Sequence, residues 1–147
     1  MEIKYQLFEN ESLFVQKYLG IFSVEKYQTY TRYITERIAT KSIKKVLVDF
    51  RELIFDSKPE DFSQNINRVV EFRKNINETE LKNKDVTLVF IVNQPMPTVI
   101  AHLFSANFSN YSYCSTEEIA IKTLMLPEHL HDLDCIFKNL ENTFENR

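Results

Sequence analysis

Two short apolar runs, Val46-Leu47-Val48 and Val86-Thr87-Leu88-Val89-Phe90-Ile91-Val92, constrain this chain more than any other feature. An unbroken apolar run bounded by polar residues suits a strand buried on both faces, as in parallel sheets covered by helices. Between the runs Phe62, Ile66, Val69, Val70 and Ile76 recur at helical spacing, with Arg73 interrupting the stripe. Strand, helix, strand in that order predicts parallel pairing through a right-handed crossover. Polar residues follow each run: Asp49, Arg51, Asp56 and Ser57 after the first, Asn93 and Gln94 after the second. Open α/β sheets meet their ligands at the carboxyl ends of strands, so these six form the candidate surface.

The rest of the chain fits around that unit. Ile3, Tyr5 and Leu7 alternate with Lys4 and Gln6; after the polar turn Glu9-Asn10-Glu11-Ser12 come Leu13, Val15 and Leu19. An antiparallel hairpin is expected there. Ser23 suits the N-cap of a helix over about residues 23–41, its inward stripe Val24, Tyr27, Thr31, Ile34 and Ile38, widened by Tyr30 and Tyr33. A loop is expected at 51–57, and Ser57-Lys58-Pro59-Glu60 fits a capping box for the second helix. Pro97 suits the start of a third, with Ile100, Leu103, Phe104 and Phe108 on its apolar face. Tyr111–Cys114 reads as the last strand, and Ser115-Thr116-Glu117-Glu118 as a second capping box ahead of Ile119, Ala120 and Leu124. From Pro127 onward, Leu130, Leu133, Phe137, Leu140 and Phe144 recur at spacings of three and four, the seam of one more helix.

Composition removes several functions. A chain of 147 residues is most simply one domain. Its single glycine, Gly20, leaves no glycine-rich loop to cradle a phosphate. A net charge of −3 gives no general attraction to nucleic acid or anionic membrane. Lys41, Lys44 and Lys45 read as a solvated helix end. No apolar run is long enough to span a bilayer and no basic leader opens the sequence, so a cytoplasmic location is expected. Cys114 and Cys135 lack CxxC spacing and read as buried free thiols. His129 and His131 lie about 200° apart on a helix and cannot chelate together. His102 has no companion nucleophile motif. No metal, cofactor or enzymatic activity is expected.

The strand Val46-Leu47-Val48-Asp49-Phe50 and the helix start Ser115-Thr116-Glu117-Glu118-Ile119-Ala120 resemble motifs of the STAS domain, the fold of bacterial anti-anti-sigma factors. The resemblance covers about residues 1–126, leaving 127–147 as a helical extension packed on the same domain or on a partner. It implies an α/β fold with a mixed sheet, an N-terminal hairpin and helices packed on it. It also implies a non-enzymatic regulatory module acting through a protein partner. In signalling members a serine at the helix start after the third strand is phosphorylated. Asp56-Ser57 falls near that place, with the preceding loop one residue longer and Lys58-Pro59 where the family has Ser-Gly.

Two readings stay open at each candidate. Ser57 is either a phospho-acceptor or the cap bonded to the Glu60 amide. Asp49 and Arg51 either orient a ligand or form a strand-end ion pair. The C-terminal seam covers its own domain or a partner protomer, as in a homodimer. For the whole chain the alternative is a binder of a small apolar or nucleotide ligand, which a pocket beside Asn93–Pro97 would favour.

Overall fold

The computed structural model describes residues 1–56, 59–79 and 85–145, apart from the side chains at 59, 60, 78 and 79. Glu2–Phe8 (β1) and Leu13–Ile21 (β2) form the antiparallel hairpin, joined by a tight 3-10 turn at Glu9–Glu11. Val24–Ile38 (α1) leads to Lys45–Ile54 (β3), Pro59–Thr79 (α2), Thr87–Ile91 (β4), Pro95–Asn107 (α3), Tyr111–Cys114 (β5) and Glu117–Leu124 (α4). Leu133–Lys138 (α5) and the two-residue strand Asn142–Thr143 (β6) complete the order. The sheet runs β5-β4-β3-β2-β1-β6, with β2 through β5 mutually parallel and both pairings of β1 antiparallel.

The two apolar runs lie side by side and point the same way, with Val46 opposite Leu88, Leu47 opposite Val89 and Val48 opposite Phe90. Alternation along them feeds two cores. Val46, Val48, Leu88 and Phe90 join Tyr30 of α1, Val69 of α2 and Phe104 of α3 on one face. Leu47, Val89 and Ile91 join Leu124 of α4 and Leu133 and Phe137 of α5 on the other. A strand so enclosed has no polar face, which is why its sequence shows none.

Local chemistry sets the element ends. The Ser23 side chain accepts a hydrogen bond from the Lys26 amide at 3.2 Å, so α1 starts on a true N-cap despite lacking the box glutamate. Ser23→Ala should cost about 1 kcal/mol in a denaturant melt. Pro95 occupies the first turn of α3, which therefore begins ahead of Pro97. At α4 the Thr116 hydroxyl accepts from the Ile119 amide at 3.3 Å, so the cap falls one residue later than the Ser115 box predicts. Ile119 is turned outward; only Ala120 and Leu124 of its expected face are buried.

Three expectations need larger corrections. β3 does not stop near Phe50 but continues to Ile54, because β2 runs beside it as far as Ile21. The C-terminal seam is not one helix. Asp132 leaves helical geometry to accept from the Cys135 amide at 3.1 Å, which separates the 3-10 turn Glu128–Leu130 from α5. The chain then crosses the β1 edge as β6, and Phe144 packs on the opposite face beside Tyr30 and Tyr33. Cys135 is exposed and Cys114 half-buried, because α5 turns its cysteine away from Leu133 and Phe137.

Candidate functional site

β3 bulges at its carboxyl end. Lys17 faces Asp49 and Leu19 faces Glu52, so β3 carries one more residue than β2 between these pairs. A bulge re-aims side chains and ends regular pairing. Here it leaves the Arg51 amide to donate to Asp49 Oδ1 at 2.9 Å. The Arg51 guanidinium donates to the same carboxylate through Nε at 2.9 Å and Nη2 at 3.1 Å. Nη2 also reaches Glu117 Oε2 at 2.9 Å, and the guanidinium lies 5.6 Å from the centroid of the Phe137 ring. Bonding to Asp49 raises the already high guanidinium pKa further, so Arg51 stays charged.

Asp49 is 2% exposed, roofed by the groups that bond it. The pair thus forms a strand-end ion pair that ties β3 to α4 and α5. Asp56, Asn93 and Gln94 are exposed on the same rim. Gln94 precedes α3 without a side-chain cap bond, and its carbonyl accepts from Thr98. Ser57, like Lys58, lies outside the described residues.

What the sequence did not single out is the apolar tip of that rim. β4 accompanies β3 only as far as Asp49, so the last residues of β3 pair in the sheet with β2 alone. Ile21 and Ile54 sit opposite each other at the end of this ribbon, 54% and 56% exposed. Their place on the two middle strands of the sheet was hidden by the loop expected at 51–57.

A cavity of about 350 Å³, whose lining does not include Asn93–Pro97, opens at the amino ends of the parallel strands, between the sheet and α1, α2 and α3. Val46, Val86 and Asn110 mark its strand side, and Ile38, Asn77 and Phe108 its helix side. Arg73, read from sequence as a break in an apolar stripe, points into it. The tyrosine stripe of α1 supplies part of its wall through Tyr27 and Tyr30.

His129 bonds Glu11 Oε1 and His131 the Leu126 carbonyl, each at 2.8 Å, so the two imidazoles serve separate contacts. His102 pairs with the Tyr113 hydroxyl at 3.2 Å. No helix among the described residues is long and apolar enough to cross a membrane.

No protein-family model and no curated protein matches the chain. A solved structure does: that of the anti-sigma factor antagonist SpoIIAA in its unphosphorylated form, at a TM-score of 0.50 and 13% identity, covering 86% of this chain and 99% of that one. With its mixed six-stranded sheet, N-terminal hairpin and helices on both faces, the chain has a STAS-like α/β fold.

Proposed function

We propose that this chain is a non-enzymatic, cytoplasmic, STAS-like regulatory module that binds another protein through the carboxyl rim of its sheet. The observation that carries this reading is the ribbon tip. Ile21 and Ile54 form an exposed apolar pair beside Asp56, on a strand segment with an open side. Apolar anchors ringed by polar side chains are what protein interfaces are built from. Asn93 and Gln94 supply further polar groups on the same rim. The likeness to an anti-sigma factor antagonist agrees with a regulatory role.

Ser57 follows Asp56 directly in sequence, three residues after Ile54, and phosphorylation there would add about −1.5 to −2 charge. A partner with an acidic contact surface would then be repelled. The partner class is an anti-sigma-type kinase or sensor protein, and a second copy of the chain is the other occupant to be tested.

The experiment is titration of the purified chain with the anti-sigma-type protein encoded nearest to its gene, read by calorimetry. Ile54→Glu should weaken the complex at least about tenfold, the loss of one interface anchor. Ser57→Asp should weaken it while leaving the melting temperature nearly unchanged. If Ser57→Ala instead costs about 1 kcal/mol of stability with unaltered binding, Ser57 is a helix cap and not a switch. Undiminished affinity in Ile54→Glu would place the interface elsewhere.

A further inference from the structure

The cavity at the amino ends of the strands carries a positive charge on its wall. Arg73 is its one charged lining residue, and no carboxylate lines it among the described residues. Arg73 Nε and Nη2 donate to the Tyr111 hydroxyl at 3.2 and 2.8 Å, and the guanidinium lies 5.7 Å from the centroid of the same ring. Those contacts use a phenol as acceptor, which carries no balancing charge. Burial pushes the Tyr18, Tyr27 and Tyr30 phenols up from their ordinary value, so none of them is a phenolate at neutral pH. A half-buried guanidinium whose hydrogen bonds go to a neutral phenol keeps capacity to pair with an anion entering the cavity.

A second, independent observation sits one helical turn away. Asn77 Nδ2 donates weakly to the Tyr111 hydroxyl at 3.4 Å, while Asn77 Oδ1 is buried and has no hydrogen-bond partner. Buried acceptors are nearly always satisfied, so one left open beside a cavity calls for a donor from within it. Deeper in, the other polar groups are already engaged: the Tyr30 and Tyr18 hydroxyls both donate to Gln16 Oε1, at 2.8 and 3.4 Å. Much of the remaining wall is aromatic and aliphatic, with Phe14, Phe50, Phe90 and Phe104 prominent, while Thr31, Thr35, Asn107, Ser109 and Asn110 add polar groups. A volume of about 350 Å³ belongs at the small end of ligand pockets, which run from about 300 to 1,000 Å³.

We propose that this cavity binds an aromatic 2-hydroxy acid, its carboxylate on Arg73, its hydroxyl donating to Asn77 Oδ1 and its ring among the phenylalanines. Each part of the ligand is set by one feature. A guanidinium with no carboxylate beside it among the described residues asks for one negative charge, and its fork matches a carboxylate. The open amide oxygen asks for a neutral donor close to that charge. An ammonium at the same position would restore the positive charge, which disfavours an amino acid. The aromatic wall receives a ring in tilted or stacked contact. This site lies at the opposite end of the strands from the protein-binding rim and stands independently of it.

The probe is 3-phenyllactate, titrated into the full chain and followed by two-dimensional NMR. It should bind saturably, one molecule per chain, and move the Arg73 Nε–Hε and Asn77 side-chain amide signals most. The neutral 3-phenyllactamide should bind about tenfold to a hundredfold more weakly, the effect of losing a charge-assisted hydrogen bond. The unhydroxylated 3-phenylpropionate should lose about threefold to tenfold. These comparisons use the unaltered protein, so they hold even if Arg73→Met fails to fold. Where Arg73→Met does fold, its affinity for 3-phenyllactate should fall to that of the amide. Absence of saturable shifts at millimolar 3-phenyllactate, equal binding of acid and amide, or shifts confined to the Ile21–Ile54 rim would each overturn the assignment.

Discussion

Arg51→Ala should destabilise the protein by about 3–5 kcal/mol, the usual effect of leaving one member of a buried pair behind. The size of the effect comes from Asp49 rather than from Arg51. The carboxylate is almost wholly buried and takes two of its three observed hydrogen bonds from the Arg51 side chain. Truncation leaves it only the Arg51 amide, and removes the guanidinium contacts to Glu117 and Phe137 that hold α4 and α5 to β3. The paired substitution Asp49→Leu with Arg51→Met should recover most of that loss, since apolar replacements for buried ion pairs are often neutral or better. Urea unfolding of the single and double variants measures the difference. If Arg51→Ala costs under about 1 kcal/mol, the pair behaves as a surface bridge and the rim geometry given above is wrong.

Removing residues 127–147 should abolish cooperative folding. Leu130, Leu133, Phe137 and Phe144 are all buried, and truncating such side chains typically costs about 2–5 kcal/mol each. Together the four come to about 8–20 kcal/mol, as much as the roughly 5–15 kcal/mol that ordinarily holds a domain together. Loss of the segment also strips cover from Leu13, Val15 and Leu47 on one face and from Tyr30 on the other. Circular dichroism and light scattering on a chain ending at Leu126 read the outcome. The expected product is aggregated or lacks a sharp thermal transition. A soluble monomer with a cooperative melt would instead mean that the C-terminal seam serves a partner.

How far the sequence could be read depended on whether each pattern had one physical cause. Val86–Val92 and Val46–Val48 were legible as paired inner strands because a short apolar run without alternation, bounded by polar residues and rich in β-branched side chains, suits burial on both faces of a sheet. The spacing of Leu130, Leu133, Phe137, Leu140 and Phe144 had two causes. It suits one helix, but it equally suits a short helix followed by a strand that carries Phe144 around the sheet edge. Asp132, the residue that divides the segment, looks like any helix-surface acid until its carboxylate is seen capping Cys135. β3 ran longer than its composition suggested because its last turn of ribbon is held by β2 hydrogen bonds, which leave no trace in side-chain type.

The candidate site divided in the same way. Asp49 and Arg51 were brought together, as two residues on one strand face must be, yet only the bulge shows that they bond each other. Arg73 was visible as an interruption of an apolar stripe, and its place between Phe72 and Ile76 carried the needed signal. A charged side chain at a buried turn either pays for itself with a partner or faces a cavity, and α1, α3 and Tyr111 had to be located before that choice could be made.

Both the rim and the cavity depend on β3 and β4 running in the same direction, and NMR cross-relaxation between their backbone protons tests this most directly. The parallel register predicts cross-strand contacts between amide and Hα protons around Val46–Leu88, Leu47–Val89 and Val48–Phe90, with no close Hα–Hα pairs between the two strands. Strong Hα–Hα contacts linking these strands would mean antiparallel pairing. The carboxyl ends would then lie on opposite sides of the sheet, and neither site would be assembled as described.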